Sequence, residues 1–253
     1  MPLKIRRMRE EIAARKSAAV MTQSADSIVA QLEADFKKDI ADMKLMPSLQ
    51  HRAYAKRERF EKYWHYVSGI INRDEAINDS LTRWMLVWAA DAKLFDQFLA
   101  IAEYMFRFHI PLPEGFTTPL TSFFVDAGEE MLMSENEMLK PITATDGEKL
   151  NALIESIEDP RDQPNDDAYA NFLKVLGNRV AELNTLSALK RAATYYEKAL
   201  MLNSKIGVKQ DLSRINKEIE KLEKERAEKK ELKETEDSDP DPDKDPDQKS
   251  PEE

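Results

Sequence analysis

The stretch MLVWAADAKLFDQFLAIAEY, residues 85–104, decides the fold of this chain. Two apolar blocks flank a short charged interruption that contains Asp91, Lys93 and Asp96. A membrane-spanning helix needs about 20 consecutive apolar residues, and these three charges fall in the middle of the stretch. The stretch therefore predicts two antiparallel helices joined by a short turn, with Asp91 suited to the turn and Asp96 to capping the second helix.

Apolar side chains recur at helical spacing on both sides of this turn. The tryptophans Trp84 and Trp88 lie on the apolar face of the first helix, which favours a role in core packing. Contacts with other subunits would come from outer-face residues such as Arg83 or Phe98. The stripe continues at Leu81, Met85, Phe95, Leu99, Ala102 and Phe106.

The whole composition predicts an all-α protein built from helical hairpins. Strong helix formers dominate, only 6 glycines are present, and no stretch alternates convincingly with a period of two. In the C-terminal part, a stripe of small and aromatic residues is typical of tetratricopeptide-like hairpins. The following helix predicts either a short coiled-coil seam or an amphipathic helix docked on the hairpin. The stripe comprises Leu189, Ala192, Tyr196, Ala199 and Leu200, and the following helix carries Leu212, Ile215, Ile219 and Leu222.

Changes in composition divide the chain into four predicted parts. Residues 1–46 form N-terminal basic and amphipathic helices, and residues 47–160 form a central helical domain. Residues 161–233 form a C-terminal hairpin plus a charged helix, beyond the proline-punctuated run DPRDQPNDD at 159–167. Residues 234–253 are rich in Asp, Pro and Glu without an apolar anchor, so we predict a disordered acidic tail.

Several classes of function are excluded by what the sequence lacks. There is no cysteine, which rules out disulfides and cysteine-based zinc sites and fits a reducing cytoplasm. The three histidines are scattered, and neither a phosphate-binding GxxxxGK[ST] loop nor a GxGxxG, HExxH or GxSxG motif occurs. The basic N-terminus lacks the apolar run of a secretory signal. We therefore predict no intrinsic cofactor, with Mg²⁺ required only if the chain cleaves DNA, and no membrane association.

Two basic clusters stand out in the first quarter of a chain whose overall charge is −10. Lysines and arginines at helical spacing neutralise phosphates and release counterions, which gives salt-dependent affinity for nucleic acids. An ordinary solvated helix surface is the alternative interpretation. The candidate DNA-binding residues are Arg6, Arg7, Arg9, Arg15 and Lys16 in the first cluster, and Arg52, Lys56, Arg57, Arg59 and Lys62 in the second.

Two groups of acids are candidates for metal chemistry, because a metal-dependent nuclease needs convergent carboxylates. Asp126, Glu129 and Glu130 follow one helical face at positions i, i+3 and i+4. A second group crowds the polar run near residue 160, where turn and capping acids are the alternative interpretation. It comprises Asp159, Asp162, Asp166 and Asp167.

The segment at residues 59–116 resembles the centre of the terminase small subunit of temperate, contractile-tailed phages, which is also described as the terminase endonuclease subunit. The shared features include an aromatic run ending in a glycine, a Met–x–x–Trp helix, and the segment TTPLTSFFVDAGEEM at 117–131. The similarity continues through residues 189–225 and covers about residues 25 to 225. It ends at the acidic tail, where relatives carry a basic one. The aromatic run is represented by Trp64, Tyr66, Val67 and Gly69.

This resemblance implies a protein that binds double-stranded phage DNA at the packaging or cohesive-end site in the bacterial host cytoplasm. It also implies a homo-oligomer, arranged as a ring, that hands DNA to a large terminase ATPase subunit. The endonuclease label implies cleavage, for which Asp126, Glu129 and Glu130 would be the metal-binding acids because they lie in a matched segment. Two alternatives stay open: a helical-repeat adaptor that binds only proteins, and a stand-alone metal nuclease.

Overall fold

A computed structural model describes residues 27–134, 142–159 and 162–236, with side chains as far as residue 229. Within these ranges the regular structure is helical, with nine helices and no strand, which confirms the all-α prediction. The first helix, α1, covers residues 27–44. The others are α2 (Leu49–Arg73), α3 (Ser80–Asp91), α4 (Phe95–Arg107), α5 (Leu120–Met133), α6 (Ala144–Glu155), α7 (Asp166–Ala181), α8 (Leu186–Leu202) and α9 (Lys209–Glu236).

The chain divides into two compact units, and the boundary lies between Ala168 and Tyr169, in the first turn of α7. The first unit contains α1 to α6, and the second contains the rest of α7 with α8 and α9. None of the helices in the described ranges is long and apolar enough to cross a membrane. The four-part division expected from composition stays a prediction.

The charged interruption at residues 91–96 is a turn between α3 and α4, as the sequence predicted. Lys93 has the left-handed backbone angle φ of 53°, which reverses the chain, and its side chain is only 9% exposed. The prediction that Asp96 caps α4 is wrong. Leu94 occupies the capping position without a side-chain hydrogen bond, and Asp96 lies in the first turn of the helix. A carboxylate there still favours the positive end of the helix dipole.

Helix α3 is the central helix of the first unit, because eight of its twelve residues are buried. Such a helix is apolar on most of its faces and must be surrounded by others. The ring of Trp88 lies 4.6 Å from that of Phe36 on α1 and 5.9 Å from that of Tyr63 on α2, measured between centroids. Trp84 packs edge-on against Phe116 at 6.0 Å. The prediction of core packing is confirmed for Trp88, which is buried, whereas Trp84 is half-buried and packs on the exposed Phe116.

The prediction that Phe98 lies on an outer face is wrong. Phe98 is fully buried, and its ring stacks on Phe124 of α5 with 5.1 Å between centroids. Arg83 is half-buried, and its guanidinium donates to the backbone oxygen of Leu112 at 3.4 Å. Phe98 directly precedes Leu99 of the predicted apolar stripe, so helical spacing places it beside that stripe. Helix α5 covers this side of α4, which the sequence of α4 alone does not show.

In the second unit, α7 approaches α8 closely at Gly177. A Cβ at this position would lie 2.6 Å from the ring of Tyr196, so only glycine fits without displacing the ring. The hydroxyl of Tyr196 donates to Asn178 Oδ1 at 2.7 Å. Helix α9 packs along α8, with Ile215 buried. Of the two alternatives for this helix, the structure shows the docked one.

Candidate nucleic-acid interface

The predicted DNA-binding cations fall into two parts. Arg6, Arg7, Arg9, Arg15 and Lys16 lie outside the described residues. Arg52, Lys56, Arg57, Arg59 and Lys62 all lie on α2, and the structure shows where each of them points. A surface that binds DNA phosphates needs these ammonium and guanidinium groups on one exposed face, without ion-pair partners in the protein itself.

On the α1 side of α2, the cations are used to hold α1. Asp39 of α1 is only 13% exposed and lies 3.4 Å from the Nε of Arg59 and 3.5 Å from the Nζ of Lys62. The hydroxyl of Tyr63 also donates to Asp39. Lys62 additionally pairs with Asp35 at 3.1 Å, and this hydrogen bond is the largest cause of the lowered pKa of Asp35. Two acids of α1 are thus neutralised by α2.

On its other sides, α2 holds neighbouring turns. The Nε of Arg52 donates to the backbone oxygen of Met46 at 2.7 Å, which fastens the turn between α1 and α2. The guanidinium of Arg57 donates to the oxygen of Ala92 at 3.0 Å, and Lys56 pairs with Asp91 at the end of α3. All five cations of the second cluster therefore have partners inside the first unit, and they do not form a free basic face.

The rest of the first unit is acidic. Its described residues contain 13 lysines and arginines against 24 aspartates and glutamates, so the net charge of this part of the chain disfavours a polyanion. Three lysines of α1, namely Lys37, Lys38 and Lys44, are at least partly exposed and were not singled out from the sequence. They are dispersed among acids of the same helix, which is why the charge pattern alone did not reveal them.

The acids proposed for metal chemistry do not converge. Glu130 pairs with the buried Lys93 at 2.7 Å and is therefore the counterion of that ammonium group. Asp126 is exposed overall, although partial burial of its carboxyl group raises its pKa. Across the described ranges, no group of three or more histidine, aspartate or glutamate side chains could hold a metal ion. The structure gives Asp126, Glu129 and Glu130 no shared metal-binding geometry.

Two acids of the polar run, Asp159 and Asp162, line a groove of about 1130 Å³ in the first unit. It lies between the end of α4, the start of α5 and the end of α6. Its lining includes four carboxylates, against one arginine and one histidine. Asp166 and Asp167 lie outside this lining and begin α7. The carboxylates are Glu103, Glu158, Asp159 and Asp162, and the basic groups are Arg107 and His109.

Comparison with known proteins gives one family. The model of the family described as "Phage small terminase subunit" matches residues 33–162, which is half of the chain. The matched region runs from α1 through α6, so it covers the described body of the first unit. No curated protein and no solved structure matches the chain.

Proposed function

Because the chain belongs to the phage small terminase subunit family, we propose that it binds viral double-stranded DNA at the packaging or cohesive-end site. It then hands the DNA to the large ATPase subunit in the host cytoplasm. The family match over residues 33–162 carries this proposal. Self-association of the chain belongs to the same proposal, since the resemblance to the family implies a homo-oligomer.

The DNA contact is assigned to the N-terminal segment rather than to α2. Residues 1–26 carry six lysines and arginines against three acids, whereas the body of the first unit carries an excess of acid. The cations of α2 are bound to Asp35, Asp39, Asp91 and backbone oxygens. Releasing them to phosphates would leave these acids without counterions, which costs free energy.

Recognition and delivery, rather than cleavage, is the role proposed for this chain. The family's endonuclease label would need acids that bind a metal ion, and Glu130 is instead paired with Lys93. The proposal therefore places no catalytic role on Asp126, Glu129 or Glu130. Magnesium enters the proposal only as a requirement of DNA cleavage by the assembled terminase.

The proposal is tested by measuring how a labelled duplex that carries the end site binds to the chain. Fluorescence anisotropy follows binding between about 50 and 200 mM salt, the range over which phosphate contacts weaken strongly. We expect a steep loss of affinity with salt. Replacing Arg6, Arg7 and Arg9 together by alanine should flatten the slope of log K against log salt by about 0.9 for each phosphate that the variant no longer neutralises. The triple variant Lys37→Ala, Lys38→Ala and Lys44→Ala removes equal charge from α1 and serves as the matched control.

The outcomes separate the proposal from its alternative. If the control loses affinity as much as the arginine variant does, DNA contact is not confined to the N-terminal segment. If the intact chain shows no salt-dependent binding, DNA recognition is overturned. The protein-binding adaptor then stands as the function, an alternative favoured by the acidic body of the first unit and the internal pairing of the α2 cations.

A further inference from the structure

The acidic groove between α4, α5 and α6 has the chemistry to bind a basic, partly apolar segment. We propose that it binds the basic N-terminal segment of this same chain, residues 4–16, and so competes with DNA for the same arginines. The regulatory consequence rests on the proposed function, whereas the docking itself does not. The segment carries six lysines and arginines against two glutamates.

Two carboxylates of the groove are available to the incoming cations. Glu103 and Glu158 are exposed, and neither has an ion-pair or hydrogen-bond partner within the described part of the chain. The groove's own cations do not occupy them. Arg107 is bound to Asp74, and the Nδ1 of His109 lies 3.4 Å from Asp162. Among the described residues, no cation therefore compensates the charges of Glu103 and Glu158.

The floor of the groove suits apolar side chains set between arginines. Leu120, Leu153 and Ile157 line it and are only partly covered. Burying apolar surface adds about 25 cal/mol for each Å² to the attraction between charges, so a segment that mixes apolar and basic residues binds here better than a purely charged one. The N-terminal segment supplies Ile5, Met8 and Ile12 between its cations, and Leu3 directly precedes the first of them.

The groove wall contains one buried hydroxyl, that of Thr121, whose hydrogen bonding is incomplete within the described part of the chain. Thr121 is 3% exposed and lines the groove, and its Oγ1 has no hydrogen-bond partner among the described residues. Buried hydroxyls are normally satisfied, and an unsatisfied one costs about 1–3 kcal/mol. A small movement of this side chain would let it donate to a backbone carbonyl of a segment lying in the groove.

The N-terminal segment starts from the correct end of the unit to reach the groove. Asp35 of α1 pairs with Lys62 of α2, and Asp39 pairs with Arg59, so residue numbers rise along α1 as they fall along α2. The helices are therefore antiparallel, and α1 begins near the end of α2. Asp74, directly after α2, binds Arg107 in the groove wall. Twenty-six residues precede the described part of α1. At up to about 3.3 Å each they span far more than a helix length.

Docking would lower the apparent affinity for DNA by the fraction of chains whose segment is held in the groove. The same factor applies to every duplex, because all B-form DNA carries the same density of phosphates. The groove would therefore raise the protein concentration at which weak non-specific complexes form, without changing the ratio of the affinities for the end site and for other DNA.

Direct binding of a fluorescent synthetic peptide of residues 1–16 tests the docking. The receptor is the full chain carrying Arg6→Ala, Arg7→Ala and Arg9→Ala, which weakens competition from its own segment. We expect the peptide to bind, and Glu103→Gln with Glu158→Gln in the receptor to weaken binding by about tenfold, from two partly screened ion pairs. The control Glu58→Gln with Glu61→Gln removes equal charge from exposed positions of α2 outside the groove.

A second readout uses DNA and the otherwise unchanged chain. Glu103→Gln with Glu158→Gln should raise affinity for the duplex more than the α2 control does, and this excess should vanish when Arg6, Arg7 and Arg9 are alanine. Equal peptide affinity in the groove and α2 variants, or no peptide binding at all, overturns the docking whatever DNA does. Absence of DNA binding in every variant overturns the proposed function, while the peptide assay still decides the docking.

Discussion

Arg59 on α2 places its Nε 3.4 Å from Oδ1 of Asp39 on α1, and the two side chains are 31% and 13% exposed. The same arginine belongs to the helical pattern of cations that predicted contact with phosphates. Within the folded unit its charge is already met by a carboxylate of the neighbouring helix. Internal ion pairing of this kind joins α1 to α2 and moves the search for a DNA-binding surface away from α2.

Replacing Asp39 by asparagine should destabilise the first unit by about 1–3 kcal/mol, because it leaves partly buried hydrogen-bonding groups of α2 without a charged acceptor. All three tryptophans of the chain lie in α2 and α3. Urea unfolding followed by tryptophan fluorescence therefore reports on this unit alone. Asp42→Asn, at an exposed position of the same helix, is the control. Identical midpoints for the two variants would show that Asp39 does not hold α1 in place.

Glu130→Gln should also destabilise the first unit, by about 1–3 kcal/mol, because Lys93 is only 9% exposed and would lose its counterion. Asp126→Asn, one turn earlier on the same helix, should leave the stability unchanged or slightly raised, since burial already disfavours its charged form. Thermal unfolding of both variants checks this pair. Full stability of Glu130→Gln, combined with loss of a DNA-cleaving activity, would restore Glu130 as a candidate metal ligand.

Gly177→Ala should destabilise the second unit, since the new methyl group would lie 2.6 Å from the ring of Tyr196. Overpacking of this kind costs about 1–3 kcal/mol, which outweighs the gain of about 1 kcal/mol from replacing glycine in a helix. Gly69→Ala is the matched control, because nothing lies within 4 Å of its added Cβ and only the helical gain remains. Hydrogen exchange of the α7 and α8 amides gives the local readout. Unchanged protection in Gly177→Ala would show that Tyr196 has room to move.

Alkaline pH should weaken the first unit through Tyr66. Burial, followed by the nearby charge of Asp79, raises the pKa of Tyr66 to about 12 in the folded chain. The unfolded chain ionises this group near its ordinary pKa of about 10. The unfolded state therefore releases the proton first, and the stability contribution that is complete below a pH of about 10 declines as pH rises towards 12.

The variant Tyr66→Phe isolates this effect, because phenylalanine cannot ionise. We measure urea unfolding by tryptophan fluorescence between about pH 8 and about pH 11.5, and expect the variant to lose less stability than the unchanged chain. Lysines, whose ordinary pKa is about 10.4, also titrate in this range, but they are the same in both proteins. Parallel curves for the two proteins would mean that Tyr66 titrates alike in the folded and unfolded states.

Much of the fold was accessible from local sequence patterns. Ser48 caps α2, Thr143 and Asp146 form a capping box at the start of α6, and Thr185 caps α8, each by contacts that span only three residues. The charged turn at residues 91–96 follows from an equally local pattern, because charged residues cannot continue an apolar helix through a core. Local rules fail at Phe98, where a helix distant in sequence covers the predicted outer face.

The candidate site was less accessible. Helical spacing identified Arg52, Lys56 and Arg59 as sharing a face, and they do lie along one helix. The sequence contains no sign that their partners are Met46, Asp91 and Asp39, because these lie in three different segments of the chain. The groove could not be predicted from the sequence for the same reason, because its lining combines residues of α4, α5 and α6.

By itself, the sequence determined that this chain is helical, that a charged turn joins two of its helices at residues 91–96, and which phage family it resembles. These properties follow from short-range periodicity, capping and motif order. Only the tertiary structure decided which charges are paired inside the protein and which remain available to a partner. The reason is that the free energy of a charge depends on the groups that surround it, and folding brings together groups such as Arg59 and Asp39, or Glu103 and Glu158, that the chain keeps apart.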